Sequence, residues 1–498
     1  MCMHTAATLL MFYATAQTGA GTAPGAPPFL VRDINLDGAS NPAFLVSLNG
    51  IVLFSARSDS TGRELWRTDG TTSGTYLVKD IEPGTESSAP LDLTRLGDFV
   101  YFVAATTSQG WELWRTDGTS AGTQIVLDIH PGPTDGVNAD VIPSLREING
   151  LLYLSGCTAA EGCEPWVSDG TAGGTHLLLD LRPGTSGSWP NVFARLNFEA
   201  VFGACTSALG CELWKTNGTG AGTVLVKDIN PGSAGSGPID FIELGSILLF
   251  NAFETTTGSE LWRTDGTADG TYLVKEIYPG TLGSIPYPVI FRPINGVVFL
   301  SATDNVSGRE LWRTDGTALG TFLVKDINPG IGSSEPGAAR SMFDGIALFG
   351  ADDGSHGCEL WMTDGTLEGT SLVKDINTGP SGSNPFPSWV APGFCLFYAD
   401  DGVHGRELFS FDEVNGTNLV MDINPGPVGS NPGYLVPIGG LAYFSADDGI
   451  HDDELWAMPL PAPQIPIMSG VANMIGGAFV LLAGAIVIRI RNKAATAG

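Results

Sequence analysis

Apolar and polar residues alternate along this chain in short runs separated by Gly- and Pro-rich turns, the pattern of many short β-strands. Residues 91–132 show it clearly. Leu91 to Leu96 alternates and ends at Gly97-Asp98, and Phe99 to Ala105 is an apolar, β-prone run. Trp111 to Thr116 reads as a third strand, and Asp117-Gly118 opens a turn. Thr123 to Ile129 reads as a fourth strand, closed by His130-Pro131-Gly132. Four short strands with three turns make one antiparallel blade.

The unit repeats. Glu-Leu-Trp or a near variant starts at Glu64, Glu112, Glu164, Glu212, Glu260, Glu310, Glu359, Glu407 and Glu454, at intervals of 47 to 52 residues. An acidic-aliphatic pair also recurs, at Asp33, Asp80, Asp128, Asp180, Asp228, Glu276, Asp326, Asp375 and Asp422. The full unit reads Glu-Leu-Trp-x-Thr-Asp-Gly-Thr-x-x-Gly-Thr-x-Leu-Val-Lys-Asp-Ile-x-Pro-Gly. The third copy, Glu164-Pro165-Trp166, and the eighth, Glu407-Leu408-Phe409 without Thr-Asp-Gly-Thr, are the weakest.

The two ends of the repeat region are complementary. The last Glu-Leu-Trp, at 454–456, lacks a fourth strand, whereas Phe29-Leu30-Val31-Arg32-Asp33-Ile34 is a fourth strand without the first three. Pairing these halves would seal a ring and protect its edges, whereas an open solenoid would carry capping repeats. The expected fold is therefore all-β: a closed β-propeller of about nine four-stranded blades over residues 29–458, the last blade completed by the N-terminal strand.

These motifs closely resemble the bacterial family named for its ELWxxDGT repeat, from about Phe29 to Trp456. The resemblance implies an exported, sorted surface protein and carries over no general activity.

The ends of the chain agree with export. Ala6 to Tyr13 is apolar and leads to Ala14-Thr15-Ala16, a small-x-small cleavage pattern, so residues 1–16 read as a signal peptide without a basic start. Residues 17–28 read as a flexible segment. A Pro-rich spacer occupies 459–470, and Val471 to Ile488 is uncharged and long enough for a minimal membrane span. Arg489, Arg491 and Lys493 follow in a basic tail, 489–498, expected to be cytoplasmic. Motif, apolar segment and basic end resemble the bacterial IPTL-CTERM and PEP-CTERM sorting tails, with Ile465-Pro466-Ile467-Met468-Ser469 at the motif position. A plain membrane anchor is the alternative. Both readings place the repeats outside the cytoplasm, and the tail would engage sorting machinery and membrane.

Composition narrows the partners. The net charge of −29 should repel nucleic acid and anionic headgroups. The 67 Gly and 32 Pro lack a three-residue period, which excludes collagen. Cys157 and Cys163, and one repeat later Cys205 and Cys211, would each flank a hairpin loop. They are disulfide candidates of an oxidising compartment, with free thiols or zinc as rivals. Cys358 and Cys395 have no obvious local partner.

Candidate chemistry lies mainly in the repeat. Glu64 should oppose Lys79 if Trp66 pairs with Leu77 and Thr68 with Thr75, giving a cross-strand ion pair. The Asp before Ile should accept a backbone N–H two residues on, or join a ring of carboxylates binding Ca2+. Three loops before Glu-Leu-Trp read Asp-Asp-Gly-x-His: Asp352-Asp353, Asp400-Asp401 and Asp447-Asp448, followed by His356, His404 and His451. They are candidate Ca2+ ligands or solvated turns. Trp66, Trp114, Trp166, Trp214, Trp262, Trp312, Trp361 and Trp456 share one register and should pack between blades, leaving Trp111, Trp189 and Trp389 as candidate carbohydrate platforms. No nucleophile elbow, phosphate loop or zinc-protease motif occurs, so no catalytic residue is assigned and no cofactor is required. The sequence reading is a non-enzymatic scaffold for adhesion, matrix or an unidentified glycan or protein ligand. The alternatives are an extracytoplasmic propeller enzyme acting on polysaccharide or with a cofactor, and a purely structural surface-layer component.

Overall fold

The computed structural model describes residues 26–460 apart from 141–142, 289–292, 338–339, 342–344 and 392. The signal segment, most of residues 17–28, the spacer beyond Leu460, the apolar segment 471–488 and the tail lie outside the described residues. Among the described residues no helix is long and apolar enough to cross a membrane.

Nine four-stranded antiparallel sheets form nine blades. In the first, Ala43–Leu48, Ile51–Ser58, Gly62–Thr68 and Tyr76–Lys79 pair in chain order. First strands of successive blades meet around the axis, and Gly433–Ile438 of the ninth blade meets Ala43–Leu48 of the first, so the ring is closed. The ninth blade takes its outer strand from the N-terminus: Phe29–Arg32 pairs with Asp453–Pro459, with Leu30 opposite Trp456. The two weak copies fold as blades as well. The third has a short outer strand, His176–Leu177, and the eighth replaces the Thr-Asp-Gly-Thr turn by a hairpin between Arg406–Asp412 and Gly416–Met421.

A blade this thin cannot bury both faces alone, so the apolar core is divided among the nine interfaces. Val31 and Ile34 of the ninth blade cluster with Phe54 and Trp66 of the first, and Val78 and Ile81 of the first cluster with Phe102 and Trp114 of the second. The repeated Trp therefore faces the preceding blade, as the register predicts. Phe54 backs Trp66 as its direct cross-strand neighbour, and Phe409 fills the Trp position in the eighth blade.

The Glu64–Lys79 ion pair does not form, because Leu77 pairs with Trp66 but Lys79 pairs with Leu65. One residue bulges between them and turns Val78 into the interface. The Lys79 ammonium instead crosses to the next blade, where it donates to the Thr123 carbonyl at 2.7 Å and lies over the Trp114 ring. Lys227, Lys275, Lys325 and Lys374 make the same crossing, and Arg32 makes it at the closing interface through the Thr75 carbonyl.

Glu64 is fully buried and serves a different purpose. It accepts from the amides of Ile81 and Ser88, at 2.8 Å each, and from the Ser88 hydroxyl at 2.6 Å. Ser88 leads into the second blade, so the carboxylate latches one blade to the next. The other latches use Ser188, Ser236, Ser284, Ser334, Ser383, Ser430 and Ser40. At the second latch Gly136 replaces serine, and a Cβ there would fall 2.1 Å from Glu112 Oε1.

The Asp before Ile also differs from expectation. Asp80 and Asp326 accept a backbone N–H four residues on, from Gly84 and Gly330, because the Pro-Gly turn carries the chain one step further before it reverses.

Candidate functional site

The three Asp-Asp-Gly-x-His loops lie in blades seven, eight and nine. Asp353 Oδ1 accepts from the Ser355 and His356 amides at 2.9 Å, and its Oδ2 lies 2.8 Å from His356 Nδ1. Asp401 with His404 and Asp448 with His451 repeat this geometry. Asp352, Asp400 and Asp447 each accept from the glycine amide of the turn. The hydrogen bond and charge of Asp353 raise the His356 pKa, and the same bond helps to hold Asp353 below its usual value. Ca2+ takes six to eight oxygen ligands. Each loop offers two carboxylates, one engaged by two amides and an imidazole and the other by one amide, which is fewer oxygens than the ion takes. Among the described residues no group of three His, Cys, Asp or Glu is arranged to hold a metal.

Cys157 and Cys163 stand directly opposite in one hairpin and are disulfide-bonded, as are Cys205 and Cys211. Cys358 and Cys395 are buried. Of the three Trp outside the repeat register, Trp389 packs edge-on against Phe394, and Trp189 is half-exposed with its indole N–H on the Ser186 carbonyl. Trp111 is the one that lines a cavity.

That cavity, about 330 Å³, opens where blades nine, one and two meet. Its position follows from the latch. The carbonyl before Glu454 captures two successive amides, Ser40 and Asn41, which forces Asn41 into the left-handed region at φ 46°. Ala89 is held likewise at φ 45°. These tight reversals deliver the first strands to the axis and leave a hollow beside them. Asp453, Arg63 and Trp111 occupy one register position, immediately before the latch glutamate, on three consecutive blades, and all three line it. Phe44, Leu91 and Tyr434 complete the wall from the first strands.

The polar side of the cavity is built and incompletely used. Arg63 donates to the Asn41 carbonyl at 2.8 Å and to the Ser40 carbonyl at 3.5 Å, which engages two of its five N–H groups, and burial lowers its pKa. Asp453 Oδ1 is buried, as is the Oδ1 of the repeated aspartates before Ile such as Asp80 and Asp326. Burial pushes the Asp453 pKa up to about 6, against the opposing pull of Ser445 and Arg63. No described ion pair joins Arg63 to Asp453. Sequence reading had singled out Trp111 alone. The available signal was a break in the repeat: at this position the other blades carry Cys163, Cys211, Ser259, Arg309, Cys358 and Arg406.

No protein-family model matches the chain, and no curated protein sequence matches it. Among solved structures, the computationally designed Ika8 protein is similar over 86% of this chain and 99% of its own, at 14% identity and a TM-score of 0.40. Puromycin hydrolase is similar over 72% of this chain and 58% of its own, at 13% identity and TM-score 0.36. Prolyl oligopeptidase B from Galerina marginata matches over 84% and 56%, at 9% identity and TM-score 0.41. This chain thus spans little more than half the length of these last two proteins, and likenesses this distant transfer no activity.

Proposed function

We propose that the protein is exported and retained at the cell surface, where the ring acts as a non-enzymatic binding scaffold. The observation that carries this reading is the fate of the repeated acids. The nine glutamates latch neighbouring blades and the acidic loops cap their own turns, so the repeated polar chemistry serves the architecture. Outside the repeat pattern, the described residues form a cavity with a mixed aromatic and charged wall, suited to holding a ligand. Export is supported by the two local disulfides and by the apolar, basic-flanked C-terminal sequence.

Removing residues 465–498 tests retention: the truncated protein should appear in the culture medium, and a truncated protein that stays cell-bound would show that the ring itself binds the surface. Incubating the purified ring with envelope polysaccharides should yield no new reducing ends. Their release would replace the scaffold by an enzyme.

A further inference from the structure

Asp453, Arg63 and Trp111 come from the last, first and second blades, and only ring closure puts them side by side. The same position is repeated nine times around the ring, yet it carries an aromatic residue once and a carboxylate once, on blades separated by a single arginine. Closure also places Tyr434 of the ninth blade and Phe44 of the first in the same wall. The latch uses the backbone carbonyl at this position and, where an arginine stands there, its guanidinium as well, but it makes no use of the Trp111 ring.

The ligand is constrained from three sides. A volume of about 330 Å³ is at the low end of small-molecule sites and suits one compact ring rather than an extended chain. Flat aromatic surfaces at Trp111 and Tyr434 favour a ligand with an apolar face. Asp453 and Arg63 both line the same small space, a carboxylate beside a guanidinium that keeps N–H groups beyond the two it gives to backbone carbonyls. A simple anion would meet the Asp453 carboxylate, and a simple cation would meet the guanidinium. An uncharged polyol satisfies both, since each hydroxyl donates and accepts. A pyranose combines these properties, with an axial C–H face for the indole and hydroxyls at its edge.

We propose that this cavity binds a single uncharged pyranose unit of a glycan, stacked on Trp111 and held by Asp453 and Arg63. The proposal rests on the reading of the ring as a binding scaffold and names the ligand class of this cavity.

The test uses the full chain. Intrinsic tryptophan fluorescence is titrated with free neutral hexoses, N-acetylhexosamines and hexuronates, and the same protein is applied to a printed glycan array. Saturable binding of a neutral sugar is expected, with at least tenfold weaker affinity in Trp111→Ala and several-fold weaker affinity in Asp453→Asn. Trp189→Ala, which changes an exposed Trp outside the cavity, should bind as the parent does. Each variant's melting midpoint, expected within a few degrees of the parent, separates lost binding from lost folding. Unchanged affinity in both cavity variants would overturn the site while leaving the scaffold reading intact. Tighter binding of hexuronates than of neutral sugars would overturn the uncharged class. Binding of no sugar at all would overturn the proposal, and binding of no array member or envelope component would overturn the scaffold reading with it.

Discussion

Glu454 and Ser40 are separated by 414 residues, and the Ser40 hydroxyl donates to Glu454 Oε2 at 2.7 Å. The same buried carboxylate accepts from the amides of Ile34 and Asn35 at 3.0 and 3.1 Å. One side chain therefore gathers the last blade, the N-terminal strand that completes it and the entry to the first blade. The interface carries the same glutamate–serine latch as seven of the other eight, so closure is not a weak seam in the latch chemistry. Its distinction lies within the ninth blade, where Phe29–Arg32 is joined to Asp453–Pro459 by strand pairing alone.

This sets the consequence of opening it. Deleting residues 29–34 removes Val31 and Ile34 from the closing cluster, each worth about 1.5–3 kcal/mol of burial, and exposes an edge of Asp453–Pro459. Ser40→Ala removes one donor from a buried carboxylate and should cost about 1–3 kcal/mol. In scanning calorimetry the deletion should lower the melting midpoint well beyond Ser40→Ala. Equal, small shifts would mean that closure contributes little to stability.

The ring, the blade boundaries and the strand exchange at the ends were legible because each is written in a period or in its interruption. The role of the glutamate was not. It depends on a one-residue bulge between Leu77 and Lys79, which periodicity does not mark, and on amides from the following unit. The cavity was less legible still: Asp453 and Arg63 are ordinary surface residues in sequence, and only closure joins them to Trp111. Aromatic register survived the transfer from sequence to structure because burial alone decides it.

The latch makes stability depend on pH in a direction opposite to that of ordinary carboxylates. Burial raises Glu112 to about 8, where Gly136 supplies no hydroxyl, and raises Glu310 and Glu454 to about 7. A raised folded-state pKa means that the folded form holds protons more tightly than the unfolded chain. The contribution is fully present below the unfolded value of about 4.3 and is lost as pH rises through 7 to 8. The melting midpoint should therefore fall between pH 6 and 9 at constant ionic strength. Glu112→Gln should flatten the upper part of that fall, and an unchanged slope would assign it to general charge repulsion instead.

The Cys157–Cys163 and Cys205–Cys211 disulfides close very short loops, with a sequence separation of 6 in each case. By chain entropy such a loop contributes about 2 kcal/mol, less than a long-range bridge would. Cys157→Ser with Cys163→Ser should lower stability by about that amount and leave the ring closed, read as an unchanged hydrodynamic radius. Thiol counting on protein recovered from the cell envelope should find all four cysteines oxidised. Free thiols at these positions would contradict an oxidising compartment.

The Asp–His pairs in blades seven to nine titrate as separate local units. His356, His404 and His451 each have a raised pKa, chiefly through the hydrogen bond the imidazole donates to the paired carboxylate, and Asp353, Asp401 and Asp448 are held low. The histidine part is in place below about 6.5 and fades as pH rises through the folded value, whereas the aspartate part is in place above about 3.9 and fades as pH falls through its lowered value. Each pair is therefore strongest between those limits. Titration of the imidazole proton signals should show all three above the ordinary histidine value, and Asp353→Asn should return His356 alone toward it. Because the carboxylates already serve amides and imidazoles, Ca2+ and Mg2+ at equal ionic strength should raise the melting midpoint equally, through screening of the −29 charge. A larger response to Ca2+ that vanishes when all six aspartates become asparagine would show that the loops rearrange around the ion and that the turn geometry is only one of their states.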